Sequence, residues 1–148
     1  MRESIFDVLM SLGGVEDDTV ADLFAGTGAL GIEALSRGAA RATFVEHDRQ
    51  AAALVQANLD ATGLAERGTV VRQDVLRWVE HADPVDVAFA DPPYAFVDWP
   101  VLLEHLRVDL LVVESDREVD LGPHWRVLRA KRYGSTVVLV AEPTPTDA

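Results

Sequence analysis

The sequence predicts an α/β fold, with a seven-stranded, mostly parallel sheet covered by helices on both faces. Three observations predict it. Short runs of Val, Leu and Ala alternate with helical segments along nearly all of the 148 residues. The runs are almost continuously apolar, as strands buried on both faces must be. Four of them end in glycine or acidic residues, at Gly26/Gly28, Glu46, Asp74 and Asp91, where a parallel sheet binds ligands beyond its strand ends.

Taken in order, Ile5, Leu9 and Leu12 recur at helical spacing before Gly13-Gly14, which makes residues 3–12 an amphipathic helix. Residues 19–24 are a strand that runs into the turn Ala25-Gly26-Thr27-Gly28, and a helix over about 29–37 stops at Gly38. Residues 42–46 are the second strand. Asp48 then N-caps a helix whose Ala52, Val55 and Leu59 share a face, and Gly63 closes it. Residues 69–72 are the third strand, followed by a short helix over about 75–81 that carries Val75, Trp78 and Val79. Residues 85–90 are the fourth strand and end at Asp91-Pro92-Pro93-Tyr94. Residues 99–106 are helical and 109–114 are the fifth strand. Residues 126–131 and 136–141 form a closing pair around Tyr133-Gly134. The tail, residues 142–148, is rich in proline and polar residues and is expected to fray.

This length fits one domain, residues 1–148, with a core of its own. The absence of cysteine excludes disulfides, thiolate metal sites and a cysteine nucleophile. No apolar run approaches membrane-spanning length and no signal-peptide pattern opens the chain, so a cytoplasmic protein is expected. The net charge is −12, spread evenly, and repels a polyanion unless positive charge is concentrated somewhere. Only Arg126, Arg129, Lys131 and Arg132 form such a concentration, and a solvated strand explains them as well as an RNA contact does. Composition alone therefore does not suggest nucleic-acid binding.

The chemistry lies in the motifs. Gly26-Thr27-Gly28-Ala29-Leu30-Gly31 is a G-x-G-x-x-G string between a strand and a helix. Glycines there permit positive φ and bring a ligand close to the backbone. Nicotinamide and flavin dinucleotide sites share the string. Asp22, inside the strand end, argues against a pyrophosphate and for a cationic ammonium or sulfonium. Glu46 ends the second strand, where a carboxylate can accept from both ribose hydroxyls of an adenosine cofactor. Asp74 can accept from an adenine amine or cap the helix that follows. His47 adjoins Glu46 but points the other way along an alternating strand, so it is expected in solvent rather than in catalysis.

Asp91-Pro92-Pro93-Tyr94 is the most informative string. With average residue usage it arises by chance in about one chain of this length in two thousand. It suits methyl transfer to an exocyclic amine of a base, whose lone pair is delocalised and must be turned toward an electrophile. Asp91 can accept one amine hydrogen and the Pro92 carbonyl the other, while Pro93 stiffens the turn. Tyr94 offers a flat face on which a base can stack.

Together these residues resemble the class I S-adenosylmethionine-dependent methyltransferases and, more narrowly, the RsmD-like 16S rRNA (guanine-N2)-methyltransferase family. The likeness is carried by residues 2–9, by residues 22–39 around the glycine turn, and by Phe44-Val45-Glu46, Asn58-Leu59, Asp91-Pro92-Pro93-Tyr94, Val113-Glu114 and Tyr133-Gly134. It covers nearly the whole chain and implies a Rossmann-like methyltransferase fold that binds S-adenosyl-L-methionine. By that resemblance Asp22, Gly26 and Gly28 line the methionine part of the cofactor, Glu46 holds the ribose, and Asp74 with Val75 holds the adenine. Phe24, Thr27, His47 and Asp91 complete the implied cofactor-binding set, and residues 91–94 hold the target base. The implied partner is 16S rRNA of the small ribosomal subunit, with the target guanine flipped out of any helix. Family members usually begin with a basic β-hairpin and an Arg-Pro-Thr segment, associated with RNA docking and with covering the cofactor. This chain opens at Met1-Arg2-Glu3, and a domain without that hairpin is expected. The overall expectation is a monomer that needs no metal. The alternatives are an adenine-N6 or cytosine-N4 DNA methyltransferase, a cofactor-binding remnant without efficient RNA methylation, and a dinucleotide oxidoreductase.

Overall fold

The computed structural model describes residues 2–145. Its strands are β1 (Thr19–Leu23), β2 (Arg41–Val45), β3 (Gly68–Val71), β4 (Val85–Ala90), β5 (Val108–Ser115), β6 (Trp125–Tyr133) and β7 (Thr136–Pro143). Its helices are α1 (Arg2–Ser11), α2 (Ala29–Ser36), α3 (Arg49–Thr62), α4 (Val75–His81) and α5 (Trp99–His105). All seven strands join one sheet in the order β3-β2-β1-β4-β5-β7-β6. The first five pair in parallel, while β7 runs antiparallel to both β5 and β6.

Strand alternation divides the core into two layers. Val20, Phe44, Phe89 and Val112 face α1, α2 and α3, and meet Ile5, Phe6, Leu35, Val55 and Leu59. Ala21, Val45, Ala88, Leu111 and Val113 face α4 and α5, and meet Val75, Val79 and Leu102. Both faces being covered explains why the strands read as continuous apolar runs.

The predicted caps hold. The Asp48 carboxylate accepts from the Ala51 N–H at 2.8 Å, and Gly63 ends α3 in the left-handed region. The Gly14 N–H bonds back to the Leu9 carbonyl at 2.9 Å and closes α1. One short element escaped the pattern, a 3₁₀ turn at Ala65–Arg67, whose Arg67 reaches the carbonyls of Ala39 and Leu35.

The start of the tail expected to fray is instead tied down. Glu142 and Pro143 continue β7 opposite Arg126 and Trp125, and Arg126 pairs with Glu142. The Thr144 N–H and hydroxyl donate to the carbonyls of His124 and Pro123. Pro143 is tolerated because it sits at the strand's last position. Residues 146–148 lie outside the described residues. Among the described residues no helix is long and apolar enough to cross a membrane.

Packing also dictates one glycine. A Cβ on Gly31 would stand 2.4 Å from Cε1 of Phe44, a ring buried without exposure between α2 and β2. Gly31→Ala is expected to lower stability by about 1–3 kcal/mol, measured by urea unfolding, with a smaller cost in a Phe44→Leu background. Equal cost in both backgrounds would show that the ring is not the obstacle.

Candidate active site

The sheet order reverses between β1 and β4, so a crevice opens beyond their carboxyl ends. Leu23 is the register partner of Ala90, which sets the turn after β1 beside the turn after β4. The glycine turn and the Asp-Pro-Pro-Tyr turn are therefore neighbours.

The glycine turn is tied down from every side. Its own closure is the Gly28 N–H donating to the Ala25 carbonyl at 2.8 Å. Asp22, only 3% exposed, accepts the Gly31 N–H on Oδ2 at 2.9 Å. Gly31 is the third residue of α2, and the N-cap Gly28 has no side chain to serve it. Asp22 thus caps α2 from the neighbouring strand. Glu46, 8% exposed, accepts the Gly26 N–H on Oε1 and the Asp48 N–H on Oε2, each at 2.9 Å. Each of its oxygens keeps a lone pair for a hydroxyl. From α3, the Asn58 amide donates to the Thr27 carbonyl at 2.9 Å. Asn58 carried no chemical expectation of its own, and only its place within the family likeness marked it.

The glycines divide by role. Gly26 has φ +60° with open space where a Cβ would stand, its nearest neighbour being the Phe24 carbonyl at 4.0 Å. Gly28 has φ +80°, and a Cβ there would meet Val55 at 3.0 Å and Phe44 at 3.3 Å. Open space is therefore left at Gly26, whereas packing requires glycine at Gly28 and Gly31.

Burial pushes the Asp22 carboxyl up to about 7, against the Gly31 hydrogen bond, which lowers it; the nearby Asp91 and Glu46 charges raise it further. In dinucleotide folds an anion sits at the N-terminus of this helix. Here the protein's own carboxyl occupies that end of α2 and takes up the Gly31 N–H, so that amide is not free for a pyrophosphate.

Phe24 leaves β1 with φ +58°, rare for a residue of its size. Its ring packs edge-on to Phe96 at 5.0 Å, and Phe96 packs edge-on to Trp99 at 5.2 Å. This aromatic chain joins the glycine turn to the loop after β4.

The remaining predicted cofactor residues are placed unequally. Asp74 caps α4, accepting the Leu76 N–H on Oδ1 at 2.8 Å, which leaves Oδ2 for another donor. The Val75 side chain is buried in the core. What Val75 presents is an N–H in the first turn of α4, without a helical acceptor. The His47 side chain is 74% exposed, with Nδ1 3.6 Å from Glu46 Oε2, at the edge of the crevice rather than inside it.

Asp91, Pro92, Pro93 and Tyr94 line a cavity of about 220 Å³ together with Phe96, Trp99, Glu114 and Arg117. Partial burial raises the Asp91 pKa, and burial together with the Asp91 charge raises that of Glu114. Tyr94 is 78% exposed. The Arg117 guanidinium lies 4.8 Å from its ring centre and is held by two hydrogen bonds to Asp116. Phe96, Trp99 and Arg117 were not predicted as site residues, because their part in the site depends on how two loops fold.

The family described as conserved hypothetical protein 95 matches residues 1–142. The chain belongs to this family, that of the RsmD-like methyltransferases. YlbH of Bacillus subtilis is 36% identical over 154 residues, covering 95% of this chain and 83% of that protein. Ribosomal RNA small subunit methyltransferase D of Haemophilus influenzae is 31% identical over 147 residues, covering 90% and 75%. The solved structure of yhhF from Escherichia coli superposes with TM-score 0.85 at 31% identity over 98% of this chain and 85% of that one. SMU.776, complexed with SAH, shares the fold at 18% identity and TM-score 0.76, covering 95% and 49%. The seven-stranded class I methyltransferase architecture expected from the sequence is the one observed.

The Asp22 carboxyl gives this family member a pH signature. Its folded-state pKa lies above the ordinary 3.8, so the stability it contributes is full below that value and is lost as pH rises through about 7. Relative to Asp22→Asn, which keeps an acceptor for Gly31, the wild type is expected to lose up to about 4 kcal/mol between roughly pH 4 and pH 8. Urea unfolding of both proteins across that range checks it, and a pH-independent difference would contradict the buried-acid assignment.

Proposed function

We infer that the chain is an S-adenosylmethionine-dependent methyltransferase acting on the exocyclic N2 of a guanine in 16S rRNA. The observation that carries this reading is the Asp91–Tyr94 turn standing beside the glycine turn across β1 and β4. The likeness to the Haemophilus influenzae small subunit methyltransferase supports the choice of substrate.

The residues fit the cofactor. Glu46 is oriented by two backbone amides and has an acceptor site left on each oxygen, suited to a ribose diol. Gly26 leaves open space above the turn for the methionine part. Glu46 and Asp91, with Asp22 only partly ionised near neutral pH, bias the crevice toward negative charge, which favours a net cationic donor. Asp74 Oδ2 and the Val75 N–H are suited to the amine and ring nitrogen of adenine. When bound, the cofactor supplies a methyl group activated on a sulfonium.

The chain's own part is to position the amine and accept its proton. Asp91 and the Pro92 carbonyl take the two N2 hydrogens and turn the lone pair toward the crevice. The base stacks on Tyr94. As the new N–C bond forms, the methyl would leave its sulfur, which keeps the bonding pair as a neutral thioether. N2 would give up a proton that Asp91, its basicity raised by partial burial, is placed to take. No step calls for a metal. The work belongs to the cytoplasm, where the small subunit is assembled, and one chain carries all the groups named.

Two substitutions separate the roles. Asp91→Ala is expected to lower methyl incorporation into undermethylated small subunits by about 100-fold or more, far more than it weakens cofactor binding in calorimetry. Glu46→Ala is expected to weaken cofactor binding by about 1–3 kcal/mol in calorimetry. Full turnover by Asp91→Ala would contradict the amine-acceptor role, and wild-type transfer to duplex DNA in preference to small subunits would contradict the substrate.

A further inference from the structure

Three carboxyl groups line the cavity: Asp116 is paired with Arg117, the reaction described above uses Asp91, and Glu114 is left over. Asp91 follows Ala90 at the end of β4, and Glu114 follows Val113 in β5. Ala90 and Val113 are register partners in a parallel pair. The next residues along, Asp91 and Glu114, therefore stand level and on the same face of the sheet. Both line the cavity of about 220 Å³ into which the target base is proposed to enter. The cation in its wall, Arg117, is committed to Asp116 and to the Tyr94 ring.

Two neighbouring acids beside a peptide carbonyl form a row of acceptors, and such a row is matched by a row of donors. Guanine offers one on its Watson–Crick edge, because N1–H adjoins the two hydrogens of N2. Adenine and cytosine differ at that point. Beside their exocyclic amine stands a bare ring nitrogen, itself an acceptor, which a carboxylate repels.

We propose that Glu114 is the specificity-determining residue that accepts the guanine N1–H while Asp91 and the Pro92 carbonyl hold N2. The inference rests on the base-binding reading above and sharpens it, since Asp91-Pro92-Pro93-Tyr94 by itself suits any exocyclic amine. Burial and the Asp91 charge raise the affinity of Glu114 for a proton, and the same property makes its carboxylate a stronger acceptor. Glu114 thereby selects guanine by attraction at N1–H and rejects the other two amines by repulsion at the same atom.

The test uses small subunits reconstituted with 16S rRNA that carries either guanine or 2-aminopurine at the nucleotide the wild-type protein methylates. 2-Aminopurine keeps the N2 amine but presents N1 as an acceptor. The wild type is expected to prefer guanine by about 10-fold or more in kcat/KM. Glu114→Gln, whose amide can donate as well as accept, is expected to reduce that preference to within about 3-fold. Glu114→Ala, which loses the acceptor, is expected to reduce it as well. Calorimetry with S-adenosylhomocysteine and circular dichroism confirm that each variant is folded, so that the ratio is read on intact protein. A guanine preference unchanged in both variants overturns the role of Glu114 while leaving the methyltransferase reading intact. No methylation of guanine-bearing particles by the wild type overturns the underlying reading, and the inference with it.

Discussion

A buried carboxylate bonded to the third amide of a helix organises the ligand-binding end of this molecule. Asp22 sits inside the sheet, 3% exposed, and spends one oxygen on the Gly31 N–H. That bond sets the direction in which α2 leaves the sheet, and with it the path of the glycine turn. The end of α2 that would attract an anion is already answered by the protein's own acceptor. Keeping an acid in such a place works against its ionisation, as the rise in its pKa to about 7 records.

Around this bond the acids of the crevice divide into two kinds. Those on the β1 and β2 side are tied to backbone: Asp22 to Gly31, and Glu46 to Gly26 and Asp48. Those on the β4 and β5 side, Asp91 and Glu114, face a cavity whose third acid, Asp116, is paired with Arg117. Strand order places the two kinds on either side of the switch point between β1 and β4. The aromatic chain from Phe24 through Phe96 to Trp99 couples them, so the two turns are held by side chains as well as by the sheet.

Much of this was legible in the sequence, for a physical reason. Continuous apolar strands, capped helices and strand-end glycines are local signals, and each names its own element. The Asp48 cap, the Gly63 stop and the seven strands all follow from such patterns. Contacts between distant segments left weaker traces. Nothing local to Gly31 says that Phe44 would stand 2.4 Å from its Cβ. Val75 was assigned to an adenine contact, yet its side chain lies in the core because the first turn of α4 faces inward. Arg117 reaches Tyr94 only because the loop after β5 folds back over the loop after β4. The tail misled in the opposite direction, since prolines at its start suggested fraying where β6 in fact pairs with it.

The central claim is that the glycine turn and the proline-containing turn share one crevice and hold donor and acceptor against each other. A crystal structure of the protein with S-adenosylhomocysteine tests this most directly. The account predicts both ribose hydroxyls on Glu46 and the sulfur facing the cavity bounded by Asp91 and Tyr94. A ligand seated elsewhere, or one whose sulfur points away from Asp91, would contradict it.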